Sequence, residues 1–361
     1  MTARSSSTPG AKPGTDVVDL EALSRWMDSR CLDGDLIEHV RPLGGGTQNF
    51  MLRFTRGGRD FVLRRGPEHL RASTNANLCR EMQMLTALRG SAVPHPRLIA
   101  GCEDAEILNG SVFYLMEPVD GFNAATTLPE LHAHDGNVRH AMGLAMVDAI
   151  AELATLDYRQ VGLTDYGRPD GFLERQVPRW TAELDSYETH YGYDTLSLPG
   201  VRQVADWLQA NLPAQWQPGI LHGDFHLANV MFDYSSPIVA AVVDWEMSTI
   251  GDPLLDLGWL IATWPRPGET TGIAASALGA AGGLATVADL VERYANRSGR
   301  DVTHMRWYTV LACFKLGIVL DGTYARAGAG KAPSDVGERL HLLAVGLLER
   351  AVGLVQGDET L

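Results

Sequence analysis

The sequence predicts an α+β chain, with strands gathered in its first third and helices in the remainder. Three observations carry this. Residues 36 to 117 hold short apolar runs at strand spacing, separated by glycine turns. Beyond Gly121 the apolar residues recur at helical spacing instead. Between positions 219 and 259 one stretch collects carboxylates, an amide and histidines around a single apolar segment.

At 361 residues and 45% hydrophobic content the chain can bury a sizeable core, as two ordinary domains or as one enzyme of two lobes. No apolar run is long enough to span a bilayer, and residues 1 to 16 hold no apolar signal core, so a cytoplasmic protein is expected. Cys31, Cys79, Cys102 and Cys313 are scattered without a C-x-x-C pair. Buried free thiols are expected, and neither a zinc site nor a disulfide scaffold is suggested. A formal charge of −14 argues against nucleic acid or an anionic membrane as the main partner. The first 121 residues hold 15 acidic and 14 basic side chains, so the charge divides as −1 against −13 for the remainder. That acidic excess reads either as a solvated surface or as an attraction for a cationic ligand.

Residues 1 to 18 read as a flexible arm. Leu20, Leu23, Trp26 and Met27 set a short helix over 19–31. Strands are predicted over 36–43, 50–55 and 61–64, an antiparallel meander turning at Gly44-Gly45-Gly46-Thr47-Gln48 and at Arg56-Gly57-Gly58-Arg59. A helix follows over 75–88, with Glu81 between Leu78 and Leu85 on the inward stripe. A glutamate there needs a partner, and Arg64 is the candidate. Residues 111–117 form a further strand, ended by the turn Glu117-Pro118-Val119-Asp120-Gly121. Met142, Met146, Ile150 and Leu153 then mark one helix, and others are predicted over 201–212, 303–320 and 338–355. Residues 268–285, rich in Gly, Ala, Ser and Thr, leave two readings open: small-residue helix packing, or a mobile loop on the acceptor side.

The chemistry sits in the stretch 219–259. Asp224 and Asn229 lie on a loop with four residues between them, and Asp244 follows an apolar segment over 238–243 that reads as a buried strand. This is the order D-x-x-x-x-N then D of phosphoryl-transfer sites. In such a site one carboxylate accepts or orients the acceptor's hydroxyl proton. The amide oxygen and the second carboxylate hold magnesium, an ion suited to hard oxygen ligands. The turn Gly44-Gly45-Gly46-Thr47 has few side chains, which lets backbone N–H groups approach phosphate oxygens; a plain hairpin turn is the alternative.

His222-Gly223-Asp224, Asn229, Asp244 and Gly251-Asp252-Pro253 with Asp256 together resemble the aminoglycoside phosphotransferase family, small-molecule kinases with His-Gly-Asp where protein kinases carry His-Arg-Asp. The resemblance implies a protein-kinase-like bilobal fold: an antiparallel N-terminal sheet and a larger helical C-terminal lobe, with ATP and Mg2+ in the cleft between. It implies Asp224 as the catalytic base or orienting group, and Asn229 and Asp244 as metal ligands. Nucleotide contacts fall to Gly44, Gly45, Gly46, Thr47, Arg64 with its partner Glu81, the Glu117 carbonyl and the Val119 N–H, since Pro118 cannot donate. His222 shapes the loop, Asp252 caps the helix that Pro253 begins, and Asp256 braces the loop from behind. His226 stays open between acceptor and solvent.

A second block, Val62-Leu63-Arg64-Arg65-Gly66-Pro67, Arg80-Glu81 and Val93-Pro94-His95-Pro96, resembles the branch fused to, or encoded beside, acyl-CoA dehydrogenases. That resemblance covers residues 36 to 350 and departs over 68–77, which are more polar. The expected organisation is an arm over 1–18, a nucleotide-binding lobe over 19–121 and a catalytic and acceptor-binding lobe over 122–361. The expected reaction carries phosphate from ATP to a small-molecule hydroxyl, on a hydroxyacyl-CoA or related hydroxy acid. An aminoglycoside or other amino-alcohol acceptor is the first alternative, and a nucleotide-binding regulator without turnover the second. An anionic acceptor would need cations near the site, and since only Lys315 and Lys331 are lysines beyond Lys12, arginines such as Arg65, Arg71 or Arg175 would have to serve; a cationic one would need several carboxylates. The small molecule is the expected partner, with a homodimer left open.

Overall fold

The computed structural model describes residues 18–32, 34–44, 49–67, 73–266 and 272–361. They form two compact units. The first ends at Arg89 and resumes over Pro96–Val119; the second comprises Gly90–His95 and Asp120–Leu361. The loop 90–95, which the expected boundary assigns to the first lobe, goes with the second unit because the Val242 N–H donates to the Pro94 carbonyl at 2.9 Å.

In the first unit, helix α1 (Leu20–Ser29) is capped by Asp19, whose carboxylate accepts from the Ala22 N–H at 2.9 Å. Strands β1 (Glu38–Pro42), β2 (Phe50–Arg56) and β3 (Arg59–Arg65) precede helix α2 (Thr74–Ala87), and β4 (Leu98–Cys102) and β5 (Phe113–Met116) follow it. The sheet order is β1-β2-β3-β5-β4, with every neighbouring pair antiparallel. Gly57 and Gly58 both take positive φ, as the two-residue hairpin between β2 and β3 requires. Strand alternation then divides β3: Phe61 and Leu63 join Leu52, Phe54, Phe113 and Leu115 in a core covered by Leu23, Trp26 and Met27 of α1, whereas Arg64 reaches Glu81 of α2. Trp26 meets Phe113 edge to face at 4.7 Å. Buried Arg56 ties α1 to this sheet. Its guanidinium donates to the carbonyls of Ser24, Leu32, Gly34 and Asp35 at 3.1–3.2 Å and to Asp28 Oδ1 at 2.5 Å. Strand β4 escaped the sequence pattern because only Cys102 of its five residues is fully buried.

The second unit opens with β6 (Phe122–Asn123), α3 (Glu130–His134), α4 (Gly136–Thr155), α5 (Gln176–Tyr191) and α6 (Val201–Ala210). Strands β7 (Gly219–Leu221), β8 (Val230–Phe232), β9 (Val239–Val242) and β10 (Thr249–Gly251) follow, then α7 (Leu254–Thr263), α8 (Ala277–Ala281), α9 (Val287–Ser298), α10 (Met305–Gly328) and α11 (Ser334–Gln356). The strands pair as two small antiparallel sheets, β6-β8-β9 and β10-β7. Helix α7 packs on α10 so closely that a Cβ at Gly258 would lie 2.7 Å from the Tyr308 backbone.

Two helices lie outside the elements the sequence predicts, and two expectations are corrected. Helix α5 was not among the predicted helices; Pro178 stands in its first turn, where a proline has no hydrogen bond to lose. Helix α9 was missed despite its capping box, Thr286 with Asp289. Ile238 is 62% exposed and precedes the buried strand instead of starting it. Cys31 is exposed in the turn after α1, Cys79 is half-buried, and only Cys102 and Cys313 are buried thiols. Of the ambiguous 268–285 segment, residues 268–271 lie outside the described residues; the rest contains α8. Among the described residues no helix is long and apolar enough to cross a membrane.

Candidate active site

Strand pairing brings the chemistry together. Leu221 at the end of β7 pairs with Thr249 at the start of β10, so the loops beside them run side by side. Val230 at the start of β8 pairs with Val242 at the end of β9, and the Val243 N–H donates to the Asn229 carbonyl at 2.9 Å. Asn229 and Asp244 therefore leave the same end of one hairpin. Asp244 has φ 68° and ψ 63°, a left-handed conformation that aspartate tolerates better than most side chains.

Asn229 also holds Asp224. Its Nδ2 donates to the Asp224 carbonyl at 2.9 Å and to Asp224 Oδ2 at 3.1 Å. Both amide hydrogens are then committed to Asp224, and the amide oxygen is the group left to face a cation. With the Asp244 carboxylate one residue beyond the paired Val243, the donor set is one neutral and one anionic oxygen. That set fits a hard divalent ion such as magnesium.

Asp224 is half-buried, and His226 Nε2 lies 3.4 Å from its Oδ1. His226 Nδ1 accepts from the Ala228 N–H at 3.2 Å, so its protonated nitrogen is the one facing Asp224. Burial pushes the Asp224 carboxyl up, but the hydrogen bond and charge of His226, with the charges of His222 and Lys315, outweigh it and leave the group lowered to about 2. His222 is buried, with Nε2 donating to the Val243 carbonyl at 2.9 Å and Nδ1 accepting from the Asp224 N–H at 3.3 Å. It ties the two loops together and has no nitrogen left for a substrate.

Asp256 grips the same turn. Its Oδ2 accepts from the His222 N–H at 2.6 Å and its Oδ1 from the Gly223 N–H at 2.8 Å. Gly223 has φ 86°, and a Cβ there would lie 2.3 Å from the Met247 carbonyl oxygen, so this turn accepts only glycine. Asp252 accepts from the Leu254 N–H at 3.1 Å and from the Tyr308 hydroxyl at 2.5 Å. Burial raises the carboxyls of both Asp252 and Asp256.

Lys315 of α10 was not assigned a role by motif, yet its Nζ donates to the Gly223 carbonyl at 3.1 Å and lies 4.4 Å from the Trp259 ring centre. A signal existed: it is one of only three lysines in the chain, and Phe314 and Leu316 on either side are buried core. Of the arginines considered as acceptor contacts, Arg175 is spent on the carbonyls of Arg168 and Asp170, Arg65 is buried, and Arg71 lies outside the described residues.

In the first unit, Arg64 Nε and Nη2 donate to Glu81 Oε2 and Oε1 at 3.0 and 2.7 Å, a two-pronged pair, and the Tyr114 hydroxyl donates to Oε2 at 3.2 Å. Tyr114 reaches it from β5, where it pairs with Arg64 in register. Gly44 is exposed with open space around it, and Gly45, Gly46 and Thr47 lie outside the described residues. Past β5 the Glu117 N–H donates to the Arg97 carbonyl at 2.9 Å and its carboxylate accepts from Arg59 at 3.1 Å, while half-buried Val119 closes the unit.

An antiparallel sheet with its helices, followed by a helical unit carrying an Asp-Asn loop and a hairpin aspartate, defines a kinase-like phosphotransferase. The profile of the Phosphotransferase enzyme family (APH) matches residues 39–296, and the chain belongs to that family. Acyl-CoA dehydrogenase family member 11 of Gallus gallus is 30% identical over 363 residues, covering 95% of this chain and 45% of that protein. The Homo sapiens protein of the same name is 29% identical over 346 residues, covering 91% and 43%. The chain thus spans less than half the length of these curated relatives. Among solved structures, a Ralstonia eutropha JMP134 protein provisionally described as an aminoglycoside phosphotransferase superposes with a TM-score of 0.75 at 30% identity, over 93% of this chain and 98% of that one. Aminoglycoside phosphotransferase APH(4)-Ia, in ternary complex with AMP-PNP and hygromycin B, has a TM-score of 0.59 at 16% identity over 91% and 98% of the chains, a likeness of fold alone.

Proposed function

We propose that this phosphotransferase carries the terminal phosphoryl group of ATP, with magnesium, to a hydroxyl of a small molecule, and that the acceptor is a hydroxyacyl-CoA or related hydroxy acid. The observation that carries the reaction is the convergence of Asp224, Asn229 and Asp244 through the hydrogen bonds from Asn229 to Asp224 and from Val243 to Asn229. The relatives named for acyl-CoA dehydrogenases support the acceptor class.

In this reading the hydroxyl oxygen of the acceptor attacks the terminal phosphorus as the bond to the ADP oxygen breaks. A carboxylate lowered to about 2 is a weak base. Asp224 therefore aims the hydroxyl along the line of attack and takes its proton late. Asn229 and Asp244 would hold magnesium, which supplies positive charge to the phosphates. Arg64, fixed by Glu81, would bring a permanent positive charge to the nucleotide phosphates.

The test is ADP release by the purified protein with ATP and magnesium, against paired panels of hydroxyacyl-CoA thioesters and aminoglycosides, with Asp224→Ala as control. Turnover confined to thioesters is expected, with a loss of at least about 100-fold in the variant. Turnover confined to aminoglycosides overturns the acceptor. Silence in both panels alongside measurable ATP binding overturns the reaction and favours a regulator.

A further inference from the structure

The lysine beneath the catalytic turn has no part in the roles above, and its surroundings give it one. Lys315 lies within α10 with its Nζ 4.4 Å from the ring centre of Trp259 on α7 and 5.3 Å from that of Trp180 on α5. Two indole faces are a favourable seat for a desolvated ammonium, but they do not by themselves explain why an apolar helix carries a charge. The hydrogen bond to Gly223 does. The Gly223 N–H is taken by Asp256 at 2.8 Å and its carbonyl by Lys315 at 3.1 Å, so a carboxylate and an ammonium hold opposite sides of the residue that precedes Asp224. Gly223 has no side chain to pack, and its left-handed φ of 86° makes it the softest point of the turn. Without the grip on its carbonyl, the peptide that aims Asp224 would be held only at its other edge, by the 3.3 Å hydrogen bond from the Asp224 N–H to His222 Nδ1.

We propose that Lys315 is a positioning residue of phosphoryl transfer, fixing the Gly223 carbonyl and keeping a positive charge beside the Asp224 carboxylate as the anionic phosphoryl group approaches. This rests on the role of Asp224 given above. The charges around the ammonium act in opposite directions. Burial pulls Lys315 down to about 8, Asp224 and Asp256 oppose that pull, and Arg179, which stacks 5.0 Å from the centre of the Trp180 ring, adds to it. The lysine is charged at neutral pH and loses its charge as pH rises through that value, where an arginine would keep it.

The experiment compares Lys315→Met and Lys315→Arg with the parent, measuring kcat and KM from pH 6 to 10 with the best acceptor of the panels. Lys315→Met is expected to lose about 100-fold in kcat, the size of a small misplacement of a reacting group, with KM for ATP within about twofold. Lys315→Arg is expected to recover most of that loss, and to lack the fall in kcat that the parent shows above about pH 8. A Met variant within about threefold of the parent overturns the proposal. So does an Arg variant as defective as the Met variant when both unfold cooperatively, because shape and not charge would then be at work. If the parent turns over no acceptor, the functional reading fails alone, and tryptophan fluorescence decides this one without substrate. The two indoles should report a titration near pH 8 in the parent that is absent from Lys315→Met, and a flat parent profile overturns the placement of the charge.

Discussion

Arg64 donates two hydrogen bonds to Glu81 in the interior of the first unit, and removing either residue takes away the opposite charge that balances the other. Glu81→Ala removes the carboxylate that balances a buried guanidinium, and should cost about 3–5 kcal/mol of stability, read as a lowered urea midpoint. Arg64→Lys keeps the charge but not the planar fork, so it should keep most stability and raise KM for ATP. Asp224 gives a second test. Its carboxyl is lowered in the folded protein to about 2, so its contribution is complete above the ordinary aspartate range and is lost as pH falls towards 2. Discounted for its partial exposure, that contribution is about 1–2 kcal/mol. The stability difference between parent and Asp224→Asn should therefore shrink from pH 5 to pH 2, and a difference constant over that range refutes it. Residues like Glu81 and Asp256 could be read from the chain because each sits at a fixed offset from a strong local signal. The places of Lys315 and His226 could not, although the rarity of lysine marked the first. The first meets the turn from 92 positions away, and the second depended on which way a ring rotates inside a loop.

Helix α7 carries Asp256 into the catalytic turn, and its distance from α10 sets how far that carboxylate reaches. Because a Cβ at Gly258 would press on the Tyr308 backbone and not on a yielding side chain, Gly258→Ala should cost about 1–3 kcal/mol and also lower kcat by shifting Asp256. A thermal midpoint within a degree of the parent, with unchanged kcat, would show that the two helices separate freely. Element legibility followed periodicity. Helix α2 reads cleanly because Leu78, Glu81 and Leu85 share one buried stripe, and α10 was recognised but continues eight residues past its expected end at 320, to Gly328. Strand β4 and helix α5 went unseen, the first having almost no buried alternation and the second carrying a proline in its first turn.

For the molecule as a whole, the family and the α+β class were legible, whereas the place of residues 90–95 in the second unit was not, because it goes with a hydrogen bond between Pro94 and Val242, far apart in the chain. Ligand linkage tests the chain at this scale. ATP with magnesium at 100 times its dissociation constant should stabilise the parent by about 2.7 kcal/mol. The thermal midpoint should then rise by several degrees, and Asn229→Ala and Asp244→Ala should lose the part of the rise that depends on magnesium. A magnesium-dependent rise retained in both variants would remove them from the metal site. Arg56 has one further consequence. Two of its five bonds, to Ser24 and Asp28, hold α1 to β2 beside the packing of Leu23, Trp26 and Met27, while Arg30, in the turn after the helix, is exposed. Trypsin should therefore cut after Arg30 and still leave a single particle on a sizing column, with the severed helix travelling alongside the sheet that grips it.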